Sequence, residues 1–253
     1  MTCEHFATGQ SAIHKLDPRL KIVLAGLSSI FLVFLHQLTT LVVALLGAIF
    51  LLFLARLDSK LLVKRVVILN FFILFISIFL PWTVKGTPLS LPYLPDPSIQ
   101  GVKMALTLFL KSNAILLLNI GLLSTSTVFA LTHAMAHMHF PAKLTHLFFF
   151  SWRYLHVLEE ELSKMRRAAL ARGFKPATNV FTYKTYANLL GGLLVRSMER
   201  GERIYRAMIC RGFNGYFPLL HHFHFHKRDM AAMFYFLAFL LFLAGIEWLP
   251  KSL

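Results

Sequence analysis

The sequence predicts an all-α polytopic membrane protein, with about five transmembrane helices and a cytoplasmic layer of two long helices. Three observations carry that expectation. Hydrophobic residues make up 57% of the 253, with 25 Phe among them, and the mean hydropathy is +0.65, too apolar for a domain with a conventional polar surface. Five apolar runs are long enough, at about 1.5 Å of rise per residue, to approach the ~30 Å hydrocarbon thickness of a bilayer. Charge is lopsided, with 26 Lys and Arg against 11 Asp and Glu for a net +15. In a membrane protein such an excess marks segments held at the cytoplasmic face. A nucleic-acid partner is the weaker reading of that charge, and none is expected.

The runs fall near residues 20–36, 38–55, 62–80, 102–123 and 230–249. Before the first, "HKLDPRLK" brings Lys15, Arg19 and Lys21, and its Asp17 and Pro18 suit a helix N-cap and first helical position. "HQL" joins the first two runs as a tight uncharged hairpin, whereas "ARLDSKLLVKR" after the second gathers Arg56, Lys60, Lys64 and Arg65. By the positive-inside rule both basic segments are cytoplasmic, so the N-terminus is expected inside and, after five spans, the C-terminus outside. No cleavable signal pattern precedes the first run, and the N-terminus is expected to be retained. "PWTVKGTPLSLPYLPDPSIQ", after the third run, holds five of the ten prolines and reads as an ordered external loop. The expected setting is a bacterial or archaeal cytoplasmic membrane.

This reading divides the chain into residues 1–123 with four spans, 124–229 on the cytoplasmic side, and 230–253 with the last span. Of the net +15, +9 lies within residues 142–229. Two helical patterns fill that segment. Leu155, Leu158, Leu162, Met165 and Ala169 recur at steps of three and four, and so do Leu190, Leu194, Ser197, Gly201, Ile204 and Met208. Each stripe can bury itself against the other, with Ser197 and Gly201 predicting the close approach.

Each pattern ends the same way. "RRAALARGF" at 166–174 returns as "YRAMICRGF" at 205–213, aligning Glu160 with Glu199, Arg167 with Arg206, Arg172 with Arg211, Gly173 with Gly212 and Phe174 with Phe213. Helix termination explains part of this: Gly just past a helix takes the left-handed conformation, and the following apolar residue folds back on the last turn. An Arg there also faces the negative end of the macrodipole. Termination does not require Arg at the same register twice, however, and a guanidinium offers a rigid multi-donor fork suited to carboxylates and carbonyls in a partner's groove. A pair of such ends suggests a two-lobed partner.

"SMERGERIYRAMICRGFNG", "SWRYLHVLEEELSKMRRAALARGF", "HFPAKL" and "HKLDPRLK" together resemble the transmembrane T component of energy-coupling factor transporters. Within that family the likeness is to the CbiQ-like branch associated with cobalt and nickel uptake. The resemblance implies a coupling subunit that joins two ABC-type ATPase subunits to a separate substrate-binding membrane subunit within the lipid bilayer. The two long helices would then be coupling helices. The family's two Ala-Arg-Gly docking motifs fall on Ala171, Arg172 and Gly173 and on Cys210, Arg211 and Gly212, where Cys210 departs from the pattern. Glu160, Arg167, Glu199 and Arg206 would support them. ATP-driven approach of the ATPases would scissor the two helices.

Other readings compete. "HAMAH" sets His133 and His137 one helical turn apart, His139 follows, and "HHFHFH" at 221–226 adds four more histidines, which invites a histidine-ligated membrane metalloenzyme. The supporting carboxylates and further boxes are missing, and histidines alternating with Phe suit a membrane interface. A self-sufficient permease is a third reading. Lys111, inside the fourth run, could face a substrate subunit, a polar path or a protein interface, or snorkel, or mark a span boundary that lies elsewhere, while Asn70 and Asn119 suit hydrogen bonds between helices. No P-loop occurs in the sequence, so ATP chemistry would belong to another chain. No resident metal, cofactor or catalytic group is expected, and the two cysteines, Cys3 and Cys210, form no framework.

Overall fold

The computed structural model describes residues 9, 11, 13–84, 87, 98–138, 140–215 and 227–248. Most of the proline-rich connection, the His221–His226 run, His139 and Cys3 lie outside them. The regular elements are all α-helices: α1 (Pro18–Phe34), α2 (Leu38–Ala55), α3 (Ser59–Thr83), α4 (Ile99–Leu123), α5 (Val128–His137), α6 (Ala142–Ala171), α7 (Val180–Cys210) and α8 (Lys227–Trp248). They gather into two compact units, residues 1–134 with 223–253, and residues 135–222.

The first unit is a bundle of apolar helices. Helices α2, α3, α4 and α8 are each long and apolar enough to cross a membrane. Helix α1, at 17 residues, reaches about 26 Å, at the short end of spanning lengths. All five boundaries fall within three residues of the runs read from the sequence. Asp17 caps α1 as expected, its carboxylate accepting from the Arg19 amide at 2.9 Å with Pro18 in the first turn.

Apolar side chains gain little by leaving lipid for one another, so close backbone approach and polar bonds must hold such a bundle. Helix α4 lies against α1, α2 and α3. On α2 the buried stripe is Thr40, Leu41, Ala44, Ala48, Leu52 and Ala55, in which Thr40, Ala44, Ala48 and Ala55 are small and admit a neighbour. Asn70 on α3 and Asn113 on α4 exchange two side-chain hydrogen bonds at 2.8 and 2.7 Å, and the Asn119 amide donates to Ser29 Oγ at 2.9 Å. Both predicted asparagine contacts are therefore helix-to-helix bonds.

Lys111 donates from Nζ to the Val33 carbonyl at 2.7 Å, a carbonyl in the last turn of α1 that has no partner within its own helix. A cation there also meets the negative end of the α1 dipole. Sequence position alone put this lysine deep in a span, but α1 is shorter than α4 and ends beside the middle of it.

The basic end of the unit is tied by ionic groups. Lys21 is fully buried, and its Nζ donates to the Thr125 carbonyl at 3.3 Å and to Ser126 Oγ at 2.7 Å, just past the end of α4. Asp229, in the first turn of α8, accepts from the Asp17 amide at 3.1 Å. The starts of α1 and α8 and the end of α4 thus meet at one polar knot. At the far end Glu247 accepts from the His36 and Gln37 amides at 2.9 and 3.2 Å, closing α8 onto the α1–α2 turn.

The second unit is built on α6 and α7. Asn179 caps α7 by accepting from the Thr182 amide at 2.8 Å. Short as the connection between the helices is, it forces them to return antiparallel.

Candidate partner-docking site

Three contacts fix the α6–α7 register. Glu161 pairs with Arg196 across the helices; a Cβ at Gly192 would stand 3.1 Å from Met165 Cε; and the Phe174 ring lies edge-on to Tyr186 at 5.8 Å between centroids. The hydrogen bond from Arg196 holds the Glu161 carboxyl below the usual carboxylate range. Away from the connection the helices part, and a groove of about 550 Å³ opens between Phe150, Tyr154 and Leu158 on one side and Ser197, Gly201 and Met208 on the other.

This corrects the expected stripes at two points. Leu190 and Leu194 are 53% and 70% exposed, whereas Leu189, Gly192, Leu193, Ser197, Ile204 and Met208 are among the half-buried α7 residues. Leucines and glycines stand in pairs in "NLLGGLLV", so two registers look equally apolar; Gly192 decides between them by admitting Met165. Ser197 and Gly201 leave room for a groove instead of a close approach, and nothing lies within 4 Å of a Cβ at Gly201. Leu155 is likewise exposed.

Both helices end identically. Gly173 and Gly212 have φ of +84° and +80°, the left-handed conformation that costs a side chain about 1–2 kcal/mol. Phe174 N–H donates to the Ala169 carbonyl at 3.1 Å and Phe213 N–H to the Met208 carbonyl at 3.0 Å, while the two glycine amides donate to Leu170 and Ile209 at 3.0 and 2.9 Å. These paired bonds are the Schellman termination. Arg172 and Arg211 are the cap residues of the two ends, with φ, ψ of −86°, 14° and −92°, 11°. Both are exposed. Neither guanidinium has a hydrogen-bond or ion-pair partner among the described residues.

Because the helices run antiparallel, their C-termini lie at opposite ends of the hairpin. Thirty residues of α6 span about 45 Å, so the two arginines stand roughly 40 Å apart. Ala171 and Cys210, each preceding its arginine, are exposed, and Cys210 is a free thiol. Along their helices, Glu160 and Arg167, and likewise Glu199 and Arg206, stand seven residues or about 10 Å apart. Arg206 meets Glu202 at 3.3 Å. The inter-helix pair Glu161–Arg196 was invisible in the sequence, where its members are 35 positions apart with no local cue.

Much of the outer surface of this unit is apolar. Val180, Phe181, Tyr183, Leu194, Val195 and Met198 on α7 are all exposed. Surface of that kind on helices carrying charge on their other faces marks an interaction site. Among the described residues no group of three or more His, Cys, Asp or Glu is gathered to hold a metal ion.

An all-α bundle of apolar helices long enough to cross a membrane, joined in one chain to a basic helical hairpin with two matched, exposed arginine ends, defines a polytopic membrane protein. Residues 9–222 match the family described as cobalt transport protein, CbiQ, and the chain belongs to that family. It is 25% identical over 232 residues to the energy-coupling factor transporter transmembrane protein EcfT of Ruminiclostridium cellulolyticum, covering 85% of this chain and 84% of that protein. To the protein of the same name from Macrococcus caseolyticus it is 26% identical over 229 residues, covering 85% of each. The resemblance carried by the repeated arginine ends is thereby borne out at the level of the family.

Proposed function

We propose that this chain is the transmembrane coupling subunit of an energy-coupling factor importer. Arg172 docks into one ABC-type ATPase subunit and Arg211 into a second. The observation that carries this reading is the pair itself: two cap arginines of like backbone conformation, both exposed and without partners among the described residues, at opposite ends of one antiparallel hairpin. Two ends some 40 Å apart suit two separate subunits better than two contacts on one. The exposed apolar face of α7 receives the substrate-binding membrane subunit, and ATP hydrolysis belongs to the ATPases.

In this reading residues 1–123 and 230–253 form the membrane part, residues 124–229 the cytoplasmic coupling segment, and the N-terminus is cytoplasmic. ATP-driven approach of the two ATPases moves the hairpin ends relative to each other. With its tight contact near Met165 and Gly192 and its groove further along, the hairpin has a natural pivot. Cobalt or nickel is the proposed substrate class, supported by the family description. The test is ATPase co-purification and ATP-dependent metal uptake for Arg172→Ala, Arg211→Ala and the double variant: each single change weakens retention of the ATPases and the double change abolishes uptake, whereas undiminished uptake in the double variant removes the docking assignment.

A further inference from the structure

A groove of about 850 Å³ opens in the membrane unit towards its basic end. Its walls are apolar, with Phe50 and Leu54 from α2 facing Phe236 and Phe239 from α8. Among the described residues, the charged ones that line it are Lys15 and Arg228. One immediately precedes α1 and the other opens α8, and the bond from the Asp17 amide to Asp229 at 3.1 Å holds those two helix starts together. Both cations therefore sit on one rim. Each is exposed and has no ion-pair or hydrogen-bond partner among the described residues. Asp17 and Asp229 are buried, with the Lys21 ammonium as their neighbour.

An apolar slot with two exposed cations on its rim matches one kind of molecule in a bilayer. From Arg228 to Phe239 the groove follows α8 for about 16 Å, close to half of the ~30 Å hydrocarbon thickness and so to the depth of one leaflet. Hydrocarbon chains, narrower than the ~10 Å of a helix with its side chains, enter a slot of this kind along its length. We propose that the groove holds an anionic phospholipid of the adjoining leaflet, its acyl chain between Phe50 and Phe239 and its phosphate between Lys15 and Arg228. A zwitterionic lipid would fill the slot equally well but would leave the rim charge uncompensated.

The test is native mass spectrometry of the full chain, purified with its partners in mild detergent and titrated with phosphatidylglycerol or phosphatidylcholine. Each basic residue at a membrane surface favours an anionic lipid about fivefold, so two give a preference for phosphatidylglycerol of roughly 25-fold. Lys15→Gln with Arg228→Gln, both at exposed positions, brings that ratio close to one without changing phosphatidylcholine binding. Ala232→Trp, which blocks the slot, lowers retention of both lipids. Equal binding of the two lipids by the wild type, or a preference that survives the double variant, overturns the proposal. So does a photo-reactive residue in place of Ala231 that attaches in native membranes to a partner subunit and not to lipid.

Discussion

At the scale of single residues, the two hairpin ends separate what shapes a helix from what it presents. Gly173 and Gly212 occupy left-handed backbone positions, so Gly173→Ala or Gly212→Ala should destabilise the unit by about 1–2 kcal/mol, read as a lower unfolding temperature in detergent. Arg172→Ala and Arg211→Ala should leave that temperature unchanged, since their side chains touch nothing among the described residues that packing requires, and should instead lower ATPase retention. The glycines, the phenylalanines and the arginines were all legible in the sequence because the repeat displays them together. That the arginines are the cap residues in matching conformations required coordinates, because a cap is defined by φ and ψ and not by composition. Lys111 was legible as an anomaly but not as a helix-end contact, since its depth depends on where α1 stops.

At the scale of elements, the α6–α7 hairpin rests on few contacts, and each is accessible to test. The inter-helix pair of Glu161 with Arg196 lowers the Glu161 pKa. Its support is therefore fully present above the unfolded glutamate value of about 4.3 and is lost as the pH falls through the depressed folded value. Hydrogen-exchange protection factors in α6 and α7, corrected for the intrinsic rate at each pH, should fall on acidification across that window in the wild type and show no such step in Glu161→Gln. Gly192→Leu places a side chain where Met165 already lies, and overpacking of this kind costs about 1–3 kcal/mol; the hairpin should lose thermal stability accordingly. The membrane spans were easier to read than this hairpin. Lipid demands an unbroken apolar run, which a sequence shows directly, whereas a two-helix seam of tandem Leu and Gly admits two registers. Only the fit of Met165 against Gly192 selects one.

At the scale of the whole molecule, the chain combines a membrane bundle fixed by buried polar bonds with a hairpin whose ends and outer face are left open. Lys21 is central to the first part. Lys21→Met would strand the buried Thr125 carbonyl and leave Asp17 and Asp229 without their neighbouring cation, and an unsatisfied buried polar group costs about 1–3 kcal/mol. Its unfolding temperature should drop well below that of an exposed control such as Lys64→Met. Nothing in the sequence joined Lys21 to Asp229, which lies 208 positions away; only the fold brings them together. The central claim, that one chain engages two ATPase subunits through opposite hairpin ends, is tested most directly by cross-linking from Lys175→Cys and Asn214→Cys together, in a background with Cys3 and Cys210 replaced by Ser. Both positions are exposed and lie just beyond the arginines, which remain intact. Docking at both ends predicts a covalent product of one such chain with two ATPase subunits, and one subunit from either single cysteine. Cross-links from one position alone, or from neither position to an ATPase, would contradict it.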